Sequence, residues 1–479
     1  MPIPGVDVSI RDSAPARSAP TDTGVAFIAG LTEKGKLAPI LITSMSDYDR
    51  VLGSRVSYGL LYDWLDTFFR EGGSRAYVSR VVGPTPVHAG ITLNDAGAAA
   101  TLRVEANSPG EWGNSLNVQV TAGGAGGTFV LIITHDVLGV LETSPDLVDK
   151  AAAFMWAVNS NWIRLVDQAS LNDPAVVASQ NLAGGLDDRA AITDTQWQNA
   201  IDRFTKDLGP GQLAAPGQTT TVRYTALKTH AKNNRRVALL DAADTPTKAT
   251  LTTAANSNRT DGRHAGYFWP WVLVPGITAN PATPRAIPPS AVIAGIIARN
   301  DPAFSPARPA AGDDGISRYA IGLTQVQFTD TDRQDLNNSG VNVIREMYQT
   351  FRNYGWRSLA DPVLDQNWVN LGYARGLMAI ANEADIIGET FIFELLDGQR
   401  RTINRFGAAL TGMLIPYWVD GTLYGETPDQ AFFVDVGTSV NTIETIADFE
   451  LRAAISVKLS PYAEHVVIEI VKKLITEEV

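Results

Sequence analysis

Residues 24–82 read GVAFIAGLTEKGKLAPILITSMSDYDRVLGSRVSYGLLYDWLDTFFREGGSRAYVSRVV. The first seven, GVAFIAG, form a short apolar run of the kind that makes a buried strand. Leu60, Leu61, Trp64, Leu65, Phe68 and Phe69 then recur at helical spacing as one broad apolar stripe, which Gly72 and Gly73 stop. Residues 76–82 return to a β-rich pattern. Strand, helix and strand make a compact α/β unit, and the rest of the chain is read outward from it.

This stretch also holds a false signal. Residues 30–36, GLTEKGK, have the spacing of a phosphate-binding loop and follow a strand. The next residue is Leu37, where that motif needs a hydroxyl for magnesium, and Pro39 with PILIT stands where its helix should begin. Gly124 and Gly126 likewise begin a GxGxxG that fails at Phe129. Plain turns explain both, and no GxSxG nucleophile elbow occurs.

Before this unit, Val6, Val8 and Ile10 alternate with polar residues, the period of a strand, and DSAPARSAPTDT follows as an extended tether. Residues 1–23 are therefore an N-terminal arm, or a frayed terminus with chance alternation. After it, residues 85–188 are Gly-, Ala- and Thr-rich with short apolar runs (TLRVEA, SLNVQV, TFVLIITHD), a β-rich insertion. Residues 189–360 read as α/β. Trp197, Ile201, Phe204 and Leu208 make a helical stripe, RVALLD a buried strand and Pro289–Asn300 an apolar helix. Residues 361–460 carry an amphipathic helix (Ile403, Phe406, Leu410, Leu414) and two strands, AFFVDV and the alternating run 451–459. Beyond Pro461, Val466, Ile468 and Ile470 begin a last strand-like run, so 461–479 is a second arm. The fold class is α/β and multidomain.

The 479 residues carry a net charge of −12 and no cysteine. Acidity argues against nucleic acid or anionic lipid as a partner, and disulfides, thiolate chemistry and Cys-based metal sites are excluded. The N-terminus lacks a signal-peptide pattern, and no apolar run approaches the ~20 residues that span a bilayer. His88, His135, His230, His264 and His465 are dispersed without metal-ligand spacing. Asp187-Asp188 and Asp313-Asp314 read as solvated turn aspartates, and Tyr267, Phe268, Trp269 and Trp271 as packing around Pro270. Arg235-Arg236 is too small for a nucleic-acid patch. No catalytic residue, cofactor-binding residue, metal ligand or cofactor is expected.

PGVDVSI, TGVAFIAGLTEKGKL with ITSMSDYDRVLG, FFREGGSRAYVSRVVG, RVALLDA, WPWVLVPG, PPSAVIAGIIARND, VNVIR and VDVGTSVNTIETIADFELRAAISVKLSP resemble, in this order, segments of the contractile tail sheath proteins. SPGEWGNSLNVQV is similar to the start of their outer region and AEHVVIEIVKK to their C-terminal end. Residues 354–359, YGWRSL, match the family's usual "WGARTL" only approximately. The resemblance implies a structural, non-enzymatic subunit whose inner core is formed by 24–84 and 361–460 with the inserted domains outside it: hexameric rings stacked on an inner tube, contraction that drives the tube through an envelope, and no cofactor. It implies a phage virion tail or a related injection particle, with tube, baseplate and terminator proteins as partners. It also implies that Val6, Val8, Ile10, Val466, Ile468 and Ile470 add strands to neighbouring subunits. Within 441–451 it implies a tube-facing helix, with Glu444, Thr445 and Asp448 outward and Ile443, Ile446 and Ala447 inward; the alternative is a merely solvated helix face. The rival classes are an α/β hydrolase-like enzyme within 190–330 and a non-contractile shell or surface-layer protein.

Overall fold

A computed structural model of the chain describes residues 22–464 other than 245, 278–282 and 326–328. Its spine is an eight-stranded sheet. In spatial order the strands are Thr350–Asn353, Val341–Met347, Ala265–Trp269, Arg236–Asp241, Gly211–Ala214, Ala26–Gly30, Ala76–Arg80 and Ile40–Ile42. The six inner strands run parallel, and the strand at each edge is antiparallel to its neighbour. Parallel strands covered on both faces read as unbroken apolar runs, which is why AFIAG and RVALLD look alike in the sequence. Successive side chains point to opposite layers. Ala26, Ile28, Val237 and Leu239 enter one core, while Phe27, Ala29, Ala238 and Leu240 enter the other.

On the first face lie helices Leu61–Glu71 and Pro289–Asn300. Trp64 and Phe68 stack with ring centroids 5.5 Å apart. A methyl group on Gly295 would come within 2.3 Å of the Glu71 Cβ and 2.9 Å of the Phe68 carbonyl oxygen, so glycine permits this close helix contact. Glu71 is fully buried there, and its carboxylate accepts the backbone N–H groups of Arg318 (2.9 Å) and Tyr319 (3.0 Å) and the Arg299 guanidinium (3.0 Å). On the opposite face helices Asp194–Asp202 and Thr221–Asn233 bury Trp197, Ile201, Tyr224 and Leu227.

The sheet ties residues 26–80 to residues 211–353 by direct strand pairing, across the sequence divisions at 84 and 189. Helix Leu371–Glu389 also belongs partly to this body. Leu371, Ala374 and Met378 sit in the same core, whereas Ala379 and Ile380 join a separate C-terminal cluster with Leu414, Tyr417, Leu423 and Phe432. The cluster includes helix Arg401–Val419 and the antiparallel pair Phe432–Asp435 and Ala454–Val457.

Between Ala76–Arg80 and Gly211–Ala214 the chain leaves the sheet and returns. The excursion holds two antiparallel sheets. One comprises Gly90–Asn94, Ala100–Ala106 and Ile163–Asp167; the other Val177–Asn181, Leu116–Ala122, Phe129–His135 and Gly139–Thr143. They enclose their own core, with Leu102, Val118, Leu131 and Ile133. The neck closes where Val87 bridges Leu186 and the Thr85 hydroxyl donates to Asp188 at 2.8 Å.

Candidate assembly surface in the C-terminal region

The alternation of 431–436 and 451–459 becomes a two-stranded sheet in the register Phe432↔Val457, Phe433↔Ser456, Val434↔Ile455 and Asp435↔Ala454. One face packs inward through Phe432, with Ile455 and Val457 partly buried. Phe433 on the other face is exposed. Among the described residues no further strand joins this pair. A two-stranded sheet is marginal by itself, and each free edge presents backbone donors and acceptors to which another strand can add.

The expected tube-facing helix is shorter than its pattern suggested, Ile443–Ala447. Thr442 caps it, accepting the Thr445 backbone N–H at 3.3 Å. Glu444 and Asp448 are exposed and Thr445 is half-buried. The apolar assignment is corrected: Ile443 is 84% exposed and Ala447 is also exposed, leaving only Ile446 half-buried. The cause is local. Asn441 is buried, donates to the carbonyls of Val436 (3.1 Å) and Arg452 (2.8 Å), and accepts the Arg452 N–H (2.8 Å). The segment is thus a loop pinned at its neck, with one helical turn at its crown, rather than an amphipathic helix laid on a core. Phe449, 94% exposed, adds a second apolar side chain to the crown. The Thr442 hydroxyl, and then Glu444's own backbone N–H, hold the Glu444 carboxyl below the usual range.

Val6, Val8, Ile10, Val466, Ile468 and Ile470 lie outside the described residues. Their points of departure are described. Thr23 donates to Asp301 at 2.5 Å, and Tyr462 donates to the Trp356 carbonyl at 2.8 Å.

The remaining sequence signals resolve as structure. In the 30–36 loop, Lys34 is buried with its ammonium 3.7 Å from the Trp162 ring centroid and 5.5 Å from that of Trp112, both in the inserted region. Burial lowers its pKa to about 8, against a smaller upward pull from Glu33. Asp187 corrects the solvated-turn expectation: it is 3% exposed and pairs with Arg80, itself 1% exposed, and with Arg189. Asp313 is exposed, as expected, although Arg352 reaches it. Arg236 is buried, donating to the carbonyls of Phe204, Thr205 and Gly209. Tyr267, Phe268 and Trp269 are core residues of an inner strand. Burial lowers the pKa of both His230 and His264 to about 4, and among the described residues no three potential ligands converge on a metal position. The Lys34 and Arg80 clasps escaped the sequence reading because their partners lie 29 to 128 residues away and local pattern carries no trace of such pairing.

Solved structures that share this fold are sheath proteins of contractile tails and injection systems. The sheath tail protein of Listeria innocua overlays with a TM-score of 0.63 at 13% identity, over 87% of this chain and 89% of that one. The sheath tail protein of Desulfitobacterium hafniense gives 0.58 at 13% identity, over 90% and 93%. The helical sheath of the anti-feeding prophage in its contracted state gives 0.58 at 19% identity, over 99% and 100%. At these identities the likeness is one of fold. No family model and no curated sequence matches the chain.

Proposed function

We propose that this chain is the sheath subunit of a contractile tail or injection particle, assembling as stacked hexameric rings around an inner tube and shortening to drive that tube through an envelope. The observation that carries the reading is the end-to-end overlay on a contracted helical sheath, covering 99% of this chain and 100% of the other. A fold shared over single domains would leave the insertion or the C-terminal region unmatched. The sheet of Phe432–Asp435 and Ala454–Val457 supports it, because its free edges suit strands supplied by other subunits. On this reading Val6, Val8 and Ile10 of one neighbour and Val466, Ile468 and Ile470 of another complete that sheet. Glu444, Thr445 and Asp448 face the tube, and baseplate and terminator proteins close the polymer's ends. The work is mechanical and needs no cofactor.

Electron microscopy of the purified chain tests the reading. Long regular cylinders are expected, and deleting residues 1–20 should abolish them while leaving the thermal unfolding of the body intact. Discrete particles, flat sheets or closed shells from the intact chain would refute the proposal. Normal cylinders from the truncated chain would refute the role of the arm.

A further inference from the structure

We propose that the loop after helix Leu371–Glu389 seats Phe393 in a cavity of a second copy of this chain, a head-to-tail contact between copies. This does not rest on the sheath reading. Phe393 is fully exposed, and Ile392 and Leu395 beside it are exposed as well. Its backbone is held at φ +68°, a region that bulky residues rarely adopt. The loop is nonetheless anchored on both sides of it. Before it, the Phe391 ring packs on Phe406 with centroids 5.1 Å apart. After it, Arg405 pairs with Glu394 at 3.5 Å, and the Thr402 hydroxyl donates to the Leu395 carbonyl at 2.7 Å. An aromatic side chain fixed in place and turned to solvent is preorganised to anchor an interface, since little of its loop remains to be ordered on binding.

The receiving cavity, about 870 Å³, opens at the other end of helix Arg401–Val419, where Asp420, Gly421 and Thr422 line it directly after the helix. That volume falls within the range of built ligand sites. Phe304 and Tyr354 on its wall are 44% and 50% exposed, and each ring carries a guanidinium, Arg308 at 3.8 Å and Arg345 at 3.9 Å from the centroid. The cavity's own carboxylates are engaged: Asp314 by Arg308, Glu464 by Arg357, and Asp420 by the Thr422 N–H. Residues 386–398, by contrast, carry Glu389, Glu394 and Asp397 and no basic residue. An apolar, acidic projection thus matches an aromatic, arginine-faced hollow, and neither matches itself. The helix between them has 19 residues, a length of about 28 Å. A loop tied to its first turn cannot reach a cavity beyond its last. Each copy therefore gives its loop to one neighbour and receives another's, a heterologous contact that continues from copy to copy.

The chain has no cysteine, so disulfide trapping is clean. Intact Ile392→Cys protein mixed with intact Gln334→Cys protein should give a cross-linked heterodimer under mild oxidation, Gln334 being exposed on the cavity wall. Neither protein alone should cross-link, and a chain carrying both cysteines should give a ladder of dimers, trimers and larger species. Adding Phe393→Ala to the Ile392→Cys protein should slow heterodimer formation at least about tenfold, the loss of one anchor side chain. Thermal unfolding should not change, because the ring is fully exposed. An absent heterodimer would assign the loop to a different protein and overturn the proposal. Cross-linking indifferent to Phe393→Ala would overturn it too, since other contacts between copies would then explain the trapping. So would a homodimer of the Ile392→Cys protein alone, the mark of a symmetric pairing.

Discussion

Removing the Asp187 carboxylate should loosen the neck that holds the inserted β region. Arg80 is buried there and donates to the carbonyls of Gly35 (3.1 Å), Glu33 (3.1 Å) and Pro109 (2.6 Å), with Asp187 as its counter-charge. Asp187→Ala leaves the guanidinium desolvated with acceptors but no anion. Breaking a buried pair from one side costs about 3–5 kcal/mol, and the three retained carbonyls place this case near the lower end, about 3 kcal/mol. Asp187→Asn keeps the shape and an acceptor and should cost about 1–3 kcal/mol. In a cycle with Arg80→Met the two losses should fall short of additive by about 2 kcal/mol, the signature of side chains in direct contact. Denaturant unfolding followed by tryptophan fluorescence measures the loss, since Trp112 and Trp162 sit beside this neck. Hydrogen exchange should place the lost protection in residues 85–188 before the large sheet. A cost for Asp187→Ala below about 0.5 kcal/mol, as for a surface residue, would refute the reasoning.

Gly295→Ala should destabilise the body by about 1–3 kcal/mol, because the added methyl meets the Glu71 Cβ at 2.3 Å and the helices must part; a thermal scan showing no loss would count against the packing. Asp241 is fully buried, and burial raises its pKa to about 7, with Ser290 hydrogen bonds opposing the shift. The folded state therefore holds a proton that the unfolded chain releases near 4, so this group's contribution to stability is full below about pH 4 and falls as pH rises to about 7. Asp241→Asn should flatten that fall, and parallel pH–Tm curves for the two proteins would contradict it. Reversing Glu444 and Asp448 to lysine should weaken tube-templated assembly at low salt and leave unfolding unchanged, with tube co-sedimentation as the readout; equal co-sedimentation would remove those residues from the tube contact.

The elements most legible in the sequence are those whose pattern and environment agree. Helix Pro289–Asn300 was readable to the residue because Pro288 and Pro289 set its start and Ala291–Ala298 is an unbroken apolar run. The strands AFIAG and RVALLD were readable because they are buried on both faces. What was not legible depends on contacts between distant residues. Nothing in the alternation around Ile443 reveals that Asn441 pins a loop there, so an amphipathic pattern was read where one turn stands free. Asp187 follows glycines as turn aspartates do, and only Arg80, 107 residues away, makes it a buried anion. The candidate surface divides in the same way: its strand pair could be read from alternation, but its free edges emerge only when the sheet order is known.

The same distinction bears on the enzyme alternative. The large sheet is doubly wound: from Ala26–Gly30 the chain steps to Ala76–Arg80, then returns to build outward from Gly211–Ala214. Ligands of such folds bind where the winding reverses, beyond the carboxyl ends of those first strands. Here the residue types that would serve a ligand are engaged by the protein itself. The lysine of the phosphate-like loop lies on two indole faces of the inserted region. Gly217, after the returning strand, has Leu60 within 2.8 Å of where its Cβ would stand and Trp271 within 3.7 Å, so apolar side chains crowd the crevice. Asp241, at the carboxyl end of the next strand, accepts the Ser290 N–H and hydroxyl at 2.8 and 2.9 Å, and Trp64 donates to that hydroxyl at 2.8 Å. A carboxyl group enclosed in this way locks the two helices of one layer to the sheet. The crevice that supplies chemistry in doubly wound enzymes is here a packed joint between the sheet and its helices.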